Sequence, residues 1–463
     1  MYNHTLIYIL LLWSSIAISQ DHLEIQALHF SGNKKTKEHV IRNELNFSEG
    51  DSILLTELDK FIERNEKILE SIGLFNAVNI NVQNLKGSQG DLLITVNENL
   101  YLFPAPILEF ADRNFNVWWQ EQNRSLNRLN YGARLRHYNL TGNKDPALIV
   151  LQFGYTRKFE FKYGVPYLNK EKNLGFYSSI FYSDNREIPY ITEGNKSLFY
   201  KHEDERIMLK RYRASVRLSY RPEPQKHHSL SLEFHKNSVD DFVIQELNPD
   251  YFLEGQNSLK FFMINYDAQY DRRINYLYPF KGYRLFFNVK KEGLGIFNEQ
   301  NSLLLRGGAE FFYELKEDFG LGTKLTGRTN TIRSQQAFAN NTGLGYGNNL
   351  VSGYELYVMD GIDYFLAQNH IKGKLIEFDY NWPKFMINQF EQMNVKLFLR
   401  FNFDFAYVNE PTYVDTNDLN NRWIYGYGPA IDLILYNSFL FSFEYSYNDI
   451  GEHGFYINTR NSF

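Results

Sequence analysis

The amino-acid sequence predicts an all-β membrane barrel of about sixteen antiparallel strands, preceded by one small α/β domain in the order β-α-α-β-β. Aromatic residues make up 17% of the 463 residues, a high proportion for an ordinary soluble domain. The mean hydropathy is only −0.44, and no apolar run has the roughly 18 residues that a membrane-spanning helix needs. From about residue 101 onward, apolar and polar residues alternate, as they do in strands with lipid on one face and water on the other.

Residues 1–19 have the pattern of a secretory signal peptide. An apolar run extends from Leu6 to Ile18, and Ala17-Ile18-Ser19 is a small-x-small cleavage pattern before Gln20. The segment lacks Lys and Arg, so a short N-terminal membrane anchor is kept as the alternative. The chain has no cysteine, which excludes a disulfide framework and a lipid-anchored N-terminus. A net charge of −5 provides no basic surface for nucleic acid.

Residues 22–100 combine strand and helix patterns and are predicted to form the α/β domain. The run LEIQALHF has apolar residues at alternating positions and ends in a Ser31-Gly32-Asn33 turn. The runs KEHVIRNELNF and TELDKFIERNEKILES carry apolar residues three and four positions apart, which indicates two amphipathic helices. Alternation resumes after Phe75 and again after the Lys86-Gly87-Ser88 turn, which predicts two closing strands.

The clearest barrel strand is NVKLFLRFNFDFAYV, residues 394–408. Its odd-numbered positions from Val395 to Tyr407 are all apolar, whereas Lys396, Arg400 and Asp404 occupy even-numbered positions. Such a charged face is costly in a protein core, but it suits a water-filled lumen. Sixteen segments of this kind begin near residues 104, 130, 147, 158, 173, 211, 228, 259, 282, 303, 321, 369, 394, 426, 439 and 454.

Several short motifs occur in an order that is typical of a known family. The first domain carries Gly32-Asn33, Glu49-Gly50-Asp51 and Gly73-x-Phe75. The later part carries YNLTGN from Tyr138, Val165-Pro166-Tyr167, and Asp271-Arg272 followed by Pro279-x-Lys281-Gly282. With these motifs the sequence resembles the BamA/TamA superfamily of bacterial surface antigen barrels, in which POTRA domains precede a sixteen-stranded barrel. The resemblance implies one POTRA domain at residues 22–100 and a barrel at residues 101–463.

The run LVSGYE has the place of the family's Val-Arg-Gly-Phe/Tyr motif, at the tip of a long loop, about residues 333–368, that folds into the lumen. Val351, Gly353 and Tyr354 are retained and are followed by Glu355, but Ser352 replaces the family's arginine. In relatives that arginine pairs with an acidic residue on a lumen face, and Asp404 has the matching position. A serine hydroxyl can bond a carboxylate, but it lacks the bidentate contact of a guanidinium. Arg400, on the same face as Asp404, is the alternative partner of that carboxylate.

The resemblance implies insertion of outer-membrane proteins or translocation of polypeptides, with the barrel in the outer membrane and the POTRA domain in the periplasm. The implied partners are client polypeptides, the lipid bilayer with its lipopolysaccharide, and periplasmic or lipoprotein accessory subunits. A lateral seam is predicted at the barrel ends, because Pro104 and Pro106 cannot donate ladder hydrogen bonds, and Ile457 and Phe463 are outward residues of the last strand. A dedicated secretion pore for one partner protein and a plain channel or structural barrel stay open as alternatives.

Signatures of catalysis are missing from the sequence. It contains no Gly-x-Ser-x-Gly, His-Glu-x-x-His or phosphate-loop lysine motif, which predicts that the chain is not an enzyme and uses no cofactor or metal ion. The alternating glycines of GLGYGNN lack the strand-then-helix context of a nucleotide site and favour a loop. The pair Trp118-Trp119 is predicted to belong to the aromatic belt at the membrane interface, with an early loop as the alternative.

Overall fold

The computed structural model describes residues 22–297, 300–382, 392–413 and 417–461. The predicted signal peptide and Phe463 lie outside the described residues. The chain divides into two units, of which the first extends to Phe103 and includes Arg136–Ala147, and the second comprises Pro104–Leu135 and Leu148–Phe463. In the described residues, no helix combines the length and the apolar character needed to cross a membrane.

The first unit is a four-stranded sheet with two helices packed against it. Its elements are β1 (His22–Ser31), α1 (Glu38–Arg42), β2 (Ser52–Leu54), α2 (Leu58–Ser71), β3 (Phe75–Lys86) and β4 (Gln89–Glu98). The strand order is β2-β1-β4-β3, and β1 and β4 are parallel. The predicted β-α-α-β-β order is present, with the short strand β2 added between the helices. Ile41, Leu69 and Ile94 are buried in one core, because each helix and strand turns its apolar face inward.

The segment 136–147 belongs to this first unit and contains the YNLTGN run. The Asn139 side-chain amide donates to Thr36 Oγ1 at 3.0 Å, and the Lys37 backbone amide donates to the Gly142 carbonyl at 2.9 Å. Gly142 has a φ of 90°, and a Cβ at this position would lie 2.3 Å from the carbonyl oxygen of Lys35. Only glycine permits this close approach of two backbones, which accounts for the glycine in the run.

Sixteen strands form the barrel sheet. Each strand of this sheet pairs with the sheet strands before and after it in the chain, and β5 and β22 lie at the two ends of the order. The predicted number of strands is confirmed. A separate hairpin, β10-β11, stands outside this sheet. The strands are β5 (Leu102–Phe110), β6 (Leu129–His137), β7 (Ala147–Gly154), β8 (Thr156–Val165), β9 (Leu174–Asn185), β10 (Glu187–Glu193), β11 (Lys196–Lys201), β12 (Leu209–Glu223), β13 (Lys226–Val239), β14 (Ser258–Asp271), β15 (Gly282–Glu292), β16 (Ser302–Lys316), β17 (Phe319–Asn330), β18 (Asp363–Asn381), β19 (Gln392–Asn409), β20 (Trp423–Leu435), β21 (Phe439–Asn448) and β22 (His453–Asn461).

The side chains of the barrel strands alternate between an exposed outer face and a lumen face. In β19, Phe401 and Phe403 are 45% and 48% exposed, whereas Asn402 and Asp404 are 4% and 5% exposed. Successive side chains of a strand point to opposite faces, so the aromatic groups lie on the outer face of the barrel and the polar groups on the lumen face. The alternation predicted for residues 394–408 is therefore confirmed.

The connections at the two ends of the barrel differ in length. We call the end at which β5 begins the entry end and the opposite end the far end. The turns at the entry end between β12 and β13 and between β16 and β17 have two residues each, whereas residues 111–128 and 331–362 are long far-end connections. The lumen loop, predicted at about residues 333–368, comprises residues 331–362. Residues 363–368, which were expected to complete it, belong to β18.

The first far-end connection contains a short helix, α3 (Phe115–Gln120), which includes both tryptophans of the Trp118-Trp119 pair. Asn114 caps this helix through its side chain, so the segment folds on itself instead of continuing β5. The pair therefore lies in an early loop, which was the alternative position, and its assignment to the aromatic belt at the membrane interface stays a prediction.

Candidate functional site

The tip of loop 331–362, residues 351–355, is buried against the lumen faces of β18 to β21. All five residues are buried, and the four that carry side chains are at most 5% exposed. Gly353 has a φ of 80°, and its carbonyl accepts from the Asn448 side-chain amide at 2.9 Å. A Cβ on Gly426 would lie 1.7 Å from the carbonyl oxygen of Ser352, so the loop backbone rests directly on the backbone of β20. The structure thus brings the predicted tip residues together inside the barrel.

Ser352 and Asp404 are in direct contact. The Ser352 hydroxyl donates to Asp404 Oδ2 at 2.9 Å, and the Ser352 backbone amide donates to the same oxygen at 3.1 Å. The other oxygen, Oδ1, accepts from the Asn369 backbone amide at 3.2 Å. Because Asp404 is buried, these three hydrogen bonds replace those that its carboxylate would make with water. The serine therefore ties the loop tip to β19, although it is shorter than the arginine expected from the family resemblance.

Arg400 is paired with Asp432 of β20 and not with Asp404. Its Nε donates to Oδ2 of Asp432 at 2.6 Å and its Nη2 to Oδ1 at 3.1 Å, and Nη2 lies 3.7 Å from Glu444 of β21. Residues four positions apart in a strand are about 13 Å apart, whereas diagonal residues on adjacent strands are about 7–8 Å apart. The alternative pairing of Arg400 with Asp404 is corrected for this reason.

Tyr354 and Glu355 complete the tip in different ways. The Tyr354 hydroxyl donates to the Asp449 carboxylate. Oε2 of Glu355 is buried and has no hydrogen-bond partner among the described residues. Burial raises the pKa of Glu355, and the nearby carboxylates of Glu444 and Asp404 raise it further. In the described part of the chain, no three His, Asp or Glu side chains are arranged to hold a metal ion.

A second set of contacts holds the loop from connection 111–128, and the sequence reasoning missed it. The Asn114 side-chain amide donates to the Glu355 carbonyl at 2.8 Å. In the sequence, Asn114 stands before FNVWW as an N-cap residue. This position predicts that a helix starts there, but it does not predict that Asn114 bonds to the loop. The Arg113 guanidinium donates to the carbonyls of Gly345 at 3.0 Å, Tyr357 at 2.8 Å and Leu356.

Connection 272–281 reaches into the lumen from the entry end. The Tyr278 hydroxyl donates to Asp432 Oδ2 at 2.6 Å, and Lys372 Nζ lies 3.8 Å from the centre of the Tyr278 ring. Leu277 and Tyr278 form a buried apolar cluster with Phe398 of β19 and Ile434 of β20. A cavity of about 850 Å³, lined by charged, polar and apolar side chains, remains between this connection and loop 331–362. Segments from both ends of the barrel therefore occupy part of the lumen.

The end strand β5 has two missing donors on one edge. The Tyr101 carbonyl and the Ala111 amide both bond to residues that flank β6, so odd-numbered positions of β5 direct their backbone groups toward β6. The nitrogens of Pro104 and Pro106 consequently lie on the opposite edge, where they supply no N–H group. Ile457 lies on the other end strand, β22.

Comparison with known proteins yields two family matches. Residues 23–99 match POTRA, surface antigen variable number repeat, and residues 139–373 match the Omp85 superfamily domain. The fold is similar to BamA from Haemophilus ducreyi lacking POTRA domains 1–3, with 15% identity, a TM-score of 0.65, and 95% of this chain and 84% of that chain covered. It is also similar to CdiB from Escherichia coli, with 11% identity, a TM-score of 0.54, and 95% and 75% covered. No curated protein sequence is significantly similar to the chain.

Proposed function

The chain belongs to the Omp85 superfamily, and on this premise we propose that it assembles other β-barrel proteins in the outer membrane. Polypeptide insertion or translocation is the class of function that the family match supports. In this proposal the first unit acts as a POTRA domain in the periplasm, and the outer face of the barrel contacts lipid and lipopolysaccharide. The proposed activity involves no enzymatic step, cofactor or metal ion.

One observation carries the choice of assembly: two segments occupy part of the lumen, whereas the free edge of β5 is unoccupied among the described residues and lacks two N–H donors at Pro104 and Pro106. A polypeptide that enters the lumen must displace connection 272–281, including the hydrogen bond between Tyr278 and Asp432. It must also displace loop 331–362 from β18 to β21. A strand that adds to the free edge of β5 displaces neither. These contacts favour activity at the seam and count against a plain open channel.

The seam suits an extended client because main-chain hydrogen bonds accept almost any sequence. Pro104 and Pro106 remove two donors from the seam edge of β5 but leave its carbonyl acceptors, which weakens pairing of β5 with β22. In the first unit, β3 is an outer strand of the sheet and offers another edge for a client strand. We therefore expect clients to be held as extended strands before they form their own barrels.

Depletion of the protein combined with quantitative outer-membrane proteomics tests this function. Assembly predicts that many different barrels decrease together by several-fold, while soluble periplasmic proteins change little. In proteoliposomes, the purified protein is expected to accelerate the folding of urea-unfolded barrels. Loss of one exported product, with the barrel population unchanged, would contradict assembly and support dedicated secretion.

A reversible lock on connection 272–281 separates the two routes. Because the chain has no cysteine, Leu277→Cys combined with Ile434→Cys or Leu440→Cys places one thiol pair within a single apolar cluster. Assembly at the seam is expected to continue when this pair is oxidised, whereas secretion through the lumen is expected to stop. Leu277→Cys alone is the matched control, since it cannot close the intramolecular bond. Arrest of barrel assembly by the oxidised pair, relieved by reduction, would contradict the seam route.

A further inference from the structure

Asn116 of α3 bonds to the backbone of the last barrel strand. Its Nδ2 donates to the Ile457 carbonyl at 3.2 Å, and its Oδ1 accepts from the Ile457 amide at 2.8 Å. The Asn116 side chain is buried. A carboxamide carries one donor group and one acceptor, so it reproduces the pair of hydrogen bonds that one residue of a neighbouring strand makes.

The two bonds identify the edge of β22 that Asn116 occupies. Ile457 lies opposite Phe443 in the ladder between β21 and β22. In an antiparallel ladder, the N–H and C=O groups of one residue point to the same side. Because both groups of Ile457 bond to Asn116, they point away from β21 and toward the edge that a further strand would use. Asn116 thus takes one pairing position of the seam.

The helix that carries Asn116 also packs against β5. The Trp118 ring lies 4.3 Å from the ring of Phe110, the last residue of β5, and the Phe115 ring lies 5.5 Å from it, measured between ring centres. Aromatic contacts at these distances stabilise a fixed arrangement of the groups that carry them. Helix α3 therefore bridges the two end strands.

The same segment is bonded to loop 331–362. Arg113 and Asn114 donate to four backbone carbonyls of the loop, between Gly345 and Tyr357. Movement of α3 away from Ile457 disturbs these bonds, and release of the loop removes the support of α3. Residues 113–116 thus link the seam edge to the lumen loop.

We propose that Asn116 is a competitive latch, which holds the edge of β22 at Ile457 until an incoming client strand takes over the same two hydrogen bonds. The inference rests on the proposed function, because the competitor is the client polypeptide. Exchange of a carboxamide for a peptide group conserves the number of hydrogen bonds, so it needs little free energy when a client is present. Without a client, opening leaves two backbone groups unpaired at membrane depth, which is costly. The latch therefore protects the edge from unspecific pairing.

Hydrogen–deuterium exchange of the Ile457 amide, in the protein embedded in lipid nanodiscs, tests the latch itself. Asn116→Leu removes both bonds at similar volume and is expected to accelerate this exchange about tenfold. Asn116→Asp keeps the acceptor for the Ile457 amide, so a smaller increase is expected, and it serves as the second variant should Asn116→Leu not fold. Gln120→Leu, at an exposed position of α3, is the matched control and should leave the exchange unchanged. Unchanged exchange in the Asn116 variants would overturn the latch.

The link to the loop has its own test. Arg113→Gln alters a side chain that bonds to loop 331–362 and not to β22, and it is expected to accelerate exchange at Ile457 several-fold. Exchange that increases only at residues 345–357, with Ile457 unaffected, would show that the seam and the loop move independently and would overturn this part of the proposal.

Competition with a client is tested with a photo-activated cross-linking residue at Thr459, two positions beyond Ile457 on β22. In proteoliposomes that receive an unfolded barrel client, Asn116→Leu is expected to raise the cross-linking yield several-fold, and Gln120→Leu is expected to leave it unchanged. An equal or lower yield for Asn116→Leu would overturn the restraining role. If no client cross-links to any of these proteins, the proposed function fails, while exchange at Ile457 still decides whether the latch exists.

Discussion

Replacement of Asp404 with alanine is expected to detach the tip of loop 331–362 from β19. The carboxylate accepts two hydrogen bonds from Ser352, at 2.9 and 3.1 Å, and one from the Asn369 backbone at 3.2 Å. A hydrogen bond within a protein contributes about 0.5–1.5 kcal/mol, so the two bonds from Ser352 stabilise the docked tip by about 1–3 kcal/mol. Their loss corresponds to a change of several-fold to roughly a hundredfold in the docking equilibrium.

Two further variants divide this effect into its parts. Ser352→Ala removes only the hydroxyl bond and is expected to shift the docking equilibrium about tenfold, because the backbone amide is kept. Asp404→Asn keeps one acceptor oxygen and replaces the other with an amide group, which cannot accept a hydrogen bond. A smaller loss of docking is therefore expected for Asp404→Asn than for Asp404→Ala.

Hydrogen–deuterium exchange of the amides of residues 350–356, in protein embedded in lipid, measures this docking. Asn402→Ala is the matched control, because Asn402 is on the lumen face of β19 but bonds to Arg400 and not to the loop tip. Exchange is expected to increase in the order Asn402→Ala, Ser352→Ala and Asp404→Ala. An Asp404→Ala protein whose loop tip exchanges at the unmodified rate would refute the reasoning, since the three hydrogen bonds would then not hold the tip.

Three further changes have defined outcomes. Gly426→Ala places a Cβ 1.7 Å from the Ser352 carbonyl oxygen, so exchange at the loop tip should increase strongly; an unchanged rate would contradict the backbone contact. Tyr278→Phe removes the hydrogen bond to Asp432 and is expected to raise the ion conductance of the barrel in planar bilayers several-fold, whereas equal conductance would show that connection 272–281 does not close the lumen. In the first unit, burial opposes ionisation of Glu98, but hydrogen bonds from the Thr36 and Lys35 amides outweigh it and lower the pKa of Glu98 below its ordinary value of 4.5. The stability that Glu98 contributes is present above pH 4.5 and lost as the pH falls through the lower folded pKa, so amide exchange of β4 should accelerate on acidification, and Glu98→Gln should weaken this dependence.

The barrel was predictable because its signal is local and repeated. Each strand presents lipid on one side and water on the other, so apolar and polar residues must alternate wherever the chain crosses. The contact between Ser352 and Asp404 was also predictable, because the sequence contains both the retained loop motif and an acidic residue at a lumen-facing position. The partner of Arg400 was not, since it depends on the register between β19 and β20, which places Asp432 diagonally across from it.

The sequence by itself determined the two kinds of unit, the number of barrel strands and the face to which each strand residue points. These properties follow from residue type and a spacing of two positions, and they need no knowledge of distant contacts. Only the tertiary structure decided that Asn116 caps Ile457 and that Tyr278 reaches Asp432 across the lumen. Each contact joins residues more than 150 positions apart in the chain. Two hydrogen bonds join Asn116 to Ile457, and one joins Tyr278 to Asp432. Such contacts leave no periodic trace in the sequence, because they exist only after the sheet has curved and brought its opposite walls and its end strands close together.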